Sequence, residues 1–164
     1  MNRHDMTPCP LWVRLIALLY DLLAVTALVM VVGLVCQLAT HGRLIGDGPH
    51  GHVVWWYQPL QGTLVASYFL ASWRRGGQTL GMRPWHTRVR ALDGTPLRWR
   101  QALLRLLVAA LPLAMLAAAP MLGIPATLWL ILLAWTIWFT VALVDPRRRA
   151  LHDLAAGTMV SRHD

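Results

Sequence analysis

Four charged residues sit at the margins of apolar runs, where their types could do chemistry: Arg14, Asp21, Arg105 and Asp153. Asp21 falls inside LIALLYDLLAVTALVMVVGLVCQL. A carboxylate in such a run is costly unless it faces a partner or water, and an intramembrane acid marks a proton or ion path by default. There it would exchange a proton or a cation, with Tyr20 or water supplying a hydrogen bond. The structural alternative is a permanent cross-helix pair that fixes packing. Arg14 precedes Asp21 by two helical turns on a similar face, about 10 Å along the axis, so another helix, a long side chain or water must connect them. Arg105, or an arginine of the central segment, is the candidate partner for Asp21, and Arg14 has the simpler role of head-group anchoring. Asp153 lies four residues after Arg149, a spacing for an exposed pair of a few tenths of a kcal/mol that would orient a short terminal helix.

Other chemistries lack their residues. His152 adjoins Asp153, but neighbouring helical side chains diverge, and no placed serine or cysteine nucleophile accompanies them. Phosphate-binding glycine motifs, paired-carboxylate patterns and four-ligand metal motifs are absent from the sequence. His41, His50 and His52 share a glycine-rich loop without zinc or copper spacing and read as surface histidines. Cys9 and Cys36 flank the first apolar run, so a bond between them is not expected. The sequence therefore predicts no catalytic residue, no cofactor and no metal.

The elements that must position these residues are membrane helices. Of 164 residues, 57% are hydrophobic and 13% charged, against about 25% charged in a soluble domain. That is too few charges to cover a water-facing surface. The formal charge of +8 comes from fifteen cations, every one an arginine. Such a balance would attract nucleic acid, but the arginines cluster beside apolar runs, where they meet anionic lipid head groups and set topology. Membrane lipids are the expected partners, with a second copy or another membrane protein, and no nucleic acid.

About 20 apolar residues span a bilayer as a helix. The chain reads as four such spans at 15–38, 54–73, 104–121 and 126–144, giving an all-α, four-transmembrane-helix bundle in one domain over residues 1–164. The first run is too long, and carries an acid too early, to be a signal peptide. Trp55, Trp56 and Tyr57 against Trp73 place two aromatic belts at the ends of the second. The Gly123–Pro125 connection reads as a tight external turn, with a re-entrant hairpin open as an alternative because Pro112, Pro120 and Pro125 interrupt the helices.

Residues 74–103 form the expected cytoplasmic interfacial segment. Within it, residues 85–92 and 95–99 flank Asp93-Gly94 and predict a small hairpin. Asp145 followed by Pro146 predicts the start of a cytoplasmic amphipathic helix over 145–157, which Gly157 ends in a left-handed conformation. Fourteen arginines fall on one side of this topology and one, Arg43, on the other. By the positive-inside rule both termini are cytoplasmic.

In order, LWVRLIALLYD, RRGGQTLGMRPW, DGTPLRWRQALLR and DPRRRALHDLAAGTMV make the chain resemble the RDD family of small bacterial membrane proteins. The family is named for one arginine and two aspartates. The resemblance matches the arginine to Arg14, the first aspartate to Asp21 and the second to Asp153, with Asp145 also in a family-like segment. It implies a bacterial inner-membrane protein with a proposed transport role. Two functions follow as expectations: movement of an ion or small solute, proton-coupled through Asp21, or service as an accessory or scaffold protein for a membrane complex. No enzymatic activity is expected.

Overall fold

A computed structural model describes residues 7–44 and 53–162. Strand β1, Thr7–Pro8, leads into helix α1, Leu11–Ala39, and helix α2 follows over Tyr57–Arg75. Strand β2 covers Thr87–Ala91 and helix α3 Trp99–Ala110. A 3-10 stretch, Leu111–Ala118, joins α3 to the short α4, Ala119–Leu122. Helix α5, Ile124–Val144, then returns to α6, Leu151–Ala156, and strand β3, Thr158–Arg162.

Three stretches are long and apolar enough to cross a membrane: Leu11–Ala39, Trp99–Leu122 and Ile124–Val144. Four apolar spans were predicted, so the count of helices apolar enough to cross is corrected to three. The helix α2 forms, but Gln58, Gln61, Thr63, Ser67 and Ser72 dilute its apolar character. One of those polar groups reaches α1: the Gln61 amide donates to the Val29 carbonyl at 3.3 Å and to the Tyr57 hydroxyl at 2.7 Å. Farther along, Tyr68 meets Asp21. As numbers rise along α2 they fall along α1, so the two helices run antiparallel.

The third predicted span is broken where its prolines lie. Pro112 has no N–H for the carbonyl four residues back, and the Val108 carbonyl instead takes the Leu111 N–H and, at 3.3 Å, the Trp138 indole N–H. The Trp135 indole donates to Ala109 at 3.1 Å. Two tryptophans of α5 thus satisfy the carbonyls exposed where the helix tightens into 3-10 geometry, as buried backbone in an apolar medium requires.

The predicted hairpin over 85–99 is corrected as well. Its turn exists: Gly94 has φ +81°, its N–H reaches Ala91, and Thr95 donates twice to the Asp93 carboxylate. Its second arm does not extend, because Pro96 lacks a donor and Leu97 is drawn into the core. The strand β2 pairs instead with β3, Thr87 opposite Arg162 and Ala91 opposite Thr158. On the other edge of β3, Thr7 of β1 lies opposite Arg162, giving the antiparallel order β1-β3-β2. A sheet therefore closes one end of a largely helical molecule.

The core sits against that sheet. Cys9, Val13, Ala17, Trp73, Val89 and Val160 are among the residues buried there. Beyond Asp21, α1 has no buried residue. A bilayer gives helices no hydrophobic reason to bury one another, so the main core cluster lies at the closed end, with Leu44, Thr127 and Ile131 buried apart from it.

Candidate functional site

All four long helices bring an end to this layer, and two aspartates occupy it in different company. Asp153 is fully buried, with Arg14 6% and Arg105 4% exposed. Arg14 Nη1 donates to Asp153 Oδ2 at 2.8 Å, and Arg105 Nη1 donates to Oδ1. The guanidinia reach onward: Arg14 Nη2 to the Val160 carbonyl at 3.4 Å, and Arg105 to the Thr158 hydroxyl at 3.1 Å. Arg105 also lies over the Trp73 ring, 5.0 Å from its centroid, a placement the ring quadrupole favours. One carboxylate thus joins α1, α3, α6 and β3, with α2 attached through Trp73.

Local sequence aims Asp153 inward. Ala150 is extended ahead of α6, and its N–H donates to Asp153 Oδ2 at 3.1 Å, so the acid caps its own helix. Gly157 ends α6 at φ +61°, a left-handed conformation that glycine adopts without strain. Burial pushes the Asp153 pKa up, but Arg105, His152, Arg14 and the Ala150 N–H outweigh burial and hold it below the ordinary value. The neighbouring His152 is lowered to about 4, first by burial and then by Arg105. Its Nε2 lies 3.7 Å from Asp153 Oδ1, beyond hydrogen-bond length. A neutral ring, edge-on to Phe139 at 5.7 Å, packs there instead.

Asp21 is 2% exposed and, among the described residues, has no cationic partner. Its carboxylate accepts from the Tyr68 hydroxyl at 2.8 Å, the Gly81 N–H at 2.9 Å and the Thr79 hydroxyl. The Leu80 N–H in turn donates to the Tyr68 oxygen at 3.0 Å. Gly81 must be a glycine, since a Cβ there would lie 2.1 Å from the Ala17 carbonyl and 2.9 Å from Asp21 Cγ. The segment after α2 is pressed flat against α1 so that its backbone can reach the acid.

Of the four residues predicted from sequence, three converge. Arg105 pairs with Asp153 rather than with Asp21, and Arg14 finds its acid on α6. Asp21 stands apart, bonded to Tyr68 rather than Tyr20, which is exposed. Arg149 does not pair with Asp153. It forks onto Asp145, Nε to Oδ2 and Nη2 to Oδ1, both at 2.9 Å.

Asp145 does not start the predicted helix. It accepts the Arg147 and Arg149 N–H groups in a turn, Arg148 takes φ +52°, and α6 begins only at Leu151. The Arg149 hydrogen bonds hold the Asp145 carboxyl well below the usual carboxylate range. Tyr68, Thr79, Gly81 and Thr158 were not singled out in the sequence. Gly81 and Thr79 do fall in the quoted RRGGQTLGMRPW, and Tyr68 is a polar ring in a half-apolar helix.

Among the described residues no three His, Cys, Asp or Glu side chains could hold a metal. His50 and His52 lie outside them. No curated protein and no solved structure matches the chain. The sequence profile of the RDD family matches residues 8–157, which include Arg14, Asp21, Arg105 and Asp153. With three apolar stretches fit to cross a bilayer, the chain is a multi-pass membrane protein that belongs to the RDD family.

Proposed function

We propose that the chain moves an ion or small solute across the membrane in exchange for protons, with Asp21 as the group that gains and loses the proton. The observation that carries this reading is the contrast in partners. The side-chain donors to Asp153 are guanidinium groups, which only donate and stay charged. Two of the three donors to Asp21 are hydroxyls, Tyr68 and Thr79. A hydroxyl both donates and accepts, so it can serve an ionised Asp21 and then turn to accept from a protonated one. Tyr68 also lines a cavity of about 360 Å³, which gives the acid a neighbour in contact with the outside.

The topology that goes with this reading has four crossings. β1 and β3 are antiparallel neighbours, which supports both ends lying at one face and an even number of crossings. Helix α2 supplies the fourth, with Gln61 and Tyr68 turned to α1. The arginine asymmetry then puts the sheet end and both termini in the cytoplasm.

The test is flux into proteoliposomes under an imposed pH gradient, with a panel of ions and small solutes, comparing wild type with a folded Asp21→Asn variant. Saturable, pH-driven flux lost in D21N is the expected result. Its absence from correctly inserted wild-type protein across the panel would overturn the reading. The second function, an accessory protein in a membrane complex, draws on the length of α1 from Leu22 to Ala39, where nothing is buried within the chain. That reading predicts a specific membrane-protein partner and no intrinsic flux.

A further inference from the structure

The cavity beside Tyr68 has a chemistry of its own. Its wall includes Arg75, Arg83, Ser72, Gln78 and Leu80, and no acid. Arg75 and Arg83 are exposed, and neither side chain has a hydrogen-bond or ion-pair partner among the described residues. Elsewhere Arg149 is taken by Asp145 and Arg90 by the Gly94 carbonyl. The carbonyls at the end of α2 are also occupied, Ser72 by the Gly76 N–H and Trp73 by the Gly77 N–H. The cavity thus offers two free guanidinia, and the Asp21 carboxylate lies behind the wall, bonded to the Tyr68 hydroxyl.

We infer that this cavity binds a phosphate group, held between Arg75 and Arg83 with the Ser72 hydroxyl as a further donor, while the Gln78 amide is held by the Thr87 carbonyl at 2.9 Å. A guanidinium is a planar fork matched to oxyanions, and two forks on one tetrahedral anion give charge-assisted hydrogen bonds that a carboxylate-lined or neutral pocket could not. A volume of about 360 Å³ has room for the group and part of an ester attached to it. Depth favours a lipid as the source. Trp12 and Trp85 pack edge to face at 5.9 Å, and Trp99 lies under Arg74 at 4.6 Å, residues of the type that marks the head-group level. Leu80, 50% exposed, offers an apolar wall to the start of an acyl chain. Binding here needs no movement across the bilayer, so the inference stands apart from the transport reading.

The test uses the full chain in non-ionic detergent and calorimetric titration with three probes: dihexanoyl phosphatidic acid, inorganic phosphate, and dihexanoylglycerol, which lacks the phosphate. Wild type is compared with Arg75→Gln/Arg83→Gln and with Arg147→Gln/Arg148→Gln, which loses the same charge outside the cavity wall. The expected result is saturable binding of phosphatidic acid, weakened about tenfold or more in R75Q/R83Q, the equivalent of one charge-assisted bond, and unchanged in the control. Binding of phosphatidic acid alone assigns the group to a lipid head. Equal binding of inorganic phosphate supports the same two-arginine site for a soluble ion. Equal weakening in both double variants, binding of dihexanoylglycerol as tight as the phosphate probes, or no binding of either phosphate probe overturns the inference.

Discussion

Arg14 and Asp153 are 139 positions apart in the chain and 2.8 Å apart in the structure. Their bond is made where water is excluded, with Arg105 on the other carboxylate oxygen. In such a place, removing one partner strands the others. Asp153→Asn is expected to destabilise the protein by about 3–5 kcal/mol, whereas Asp145→Asn, which breaks the more accessible pair with Arg149, should cost less than about 1 kcal/mol. Thermal unfolding of the two variants in detergent measures the difference. Equal losses would remove Asp153 from its place at the centre of the fold.

Stability should fall in mild acid. The unfolded chain takes a proton at His152 near pH 6.5, while the folded chain resists until about pH 4. Between those values the unfolded state binds more protons, so stability is fully present above about 6.5 and declines as pH drops toward 4. The gap corresponds to about 3 kcal/mol at most. Arg105, Arg14 and Asp153 face the ring, and Asp153, held below its ordinary value, adds its own loss at still lower pH with the same sign. His152→Phe should flatten the upper part of the profile in unfolding measured from pH 7.5 to 4.

Gly81→Ala tests the close approach of the segment after α2 to α1. The added methyl would lie 2.1 Å from the Ala17 carbonyl, so the segment must lift away and take the Gly81 N–H from Asp21. A loss of about 1–3 kcal/mol is expected from overpacking, with reduced flux if Asp21 carries the proton. A variant as stable as wild type would show that the segment is free to shift.

Membrane sidedness is open to a direct check. Reporter domains fused to either end should both score on the cytoplasmic side, and a reporter in the connection between α1 and α2 on the other. Reporters on opposite sides at the two ends would leave α2 outside the count of crossings.

Much of this was legible in sequence, and the parts that were not share a cause. Apolar length located α1 and α5, and Gly157 marked the end of α6, because each depends on local composition or on one backbone angle. Arg14 and Asp153 were marked by the family resemblance and Arg105 as a candidate partner for Asp21, yet the pairing of the three was not read, because it is set by which helices meet. Spacing suggested Arg149 for Asp153, but Arg148 at φ +52° breaks the helix that spacing assumed. The strand partner of β2 was misassigned for a related reason. A turn at Asp93-Gly94 is written locally, whereas pairing with β3 joins residues some seventy positions apart.

The three-stranded sheet also sets an order on how the protein is made. Strand β3 is the middle strand and is synthesised after helices α1 to α6, and Asp153 just precedes it. Until that stretch leaves the ribosome, Arg14 and Arg105 have no carboxylate, and β1 and β2 have no strand between them. The helices must therefore wait in the bilayer, inserted but unlatched, and the arrival of Asp153 and β3 decides whether they become one folded body.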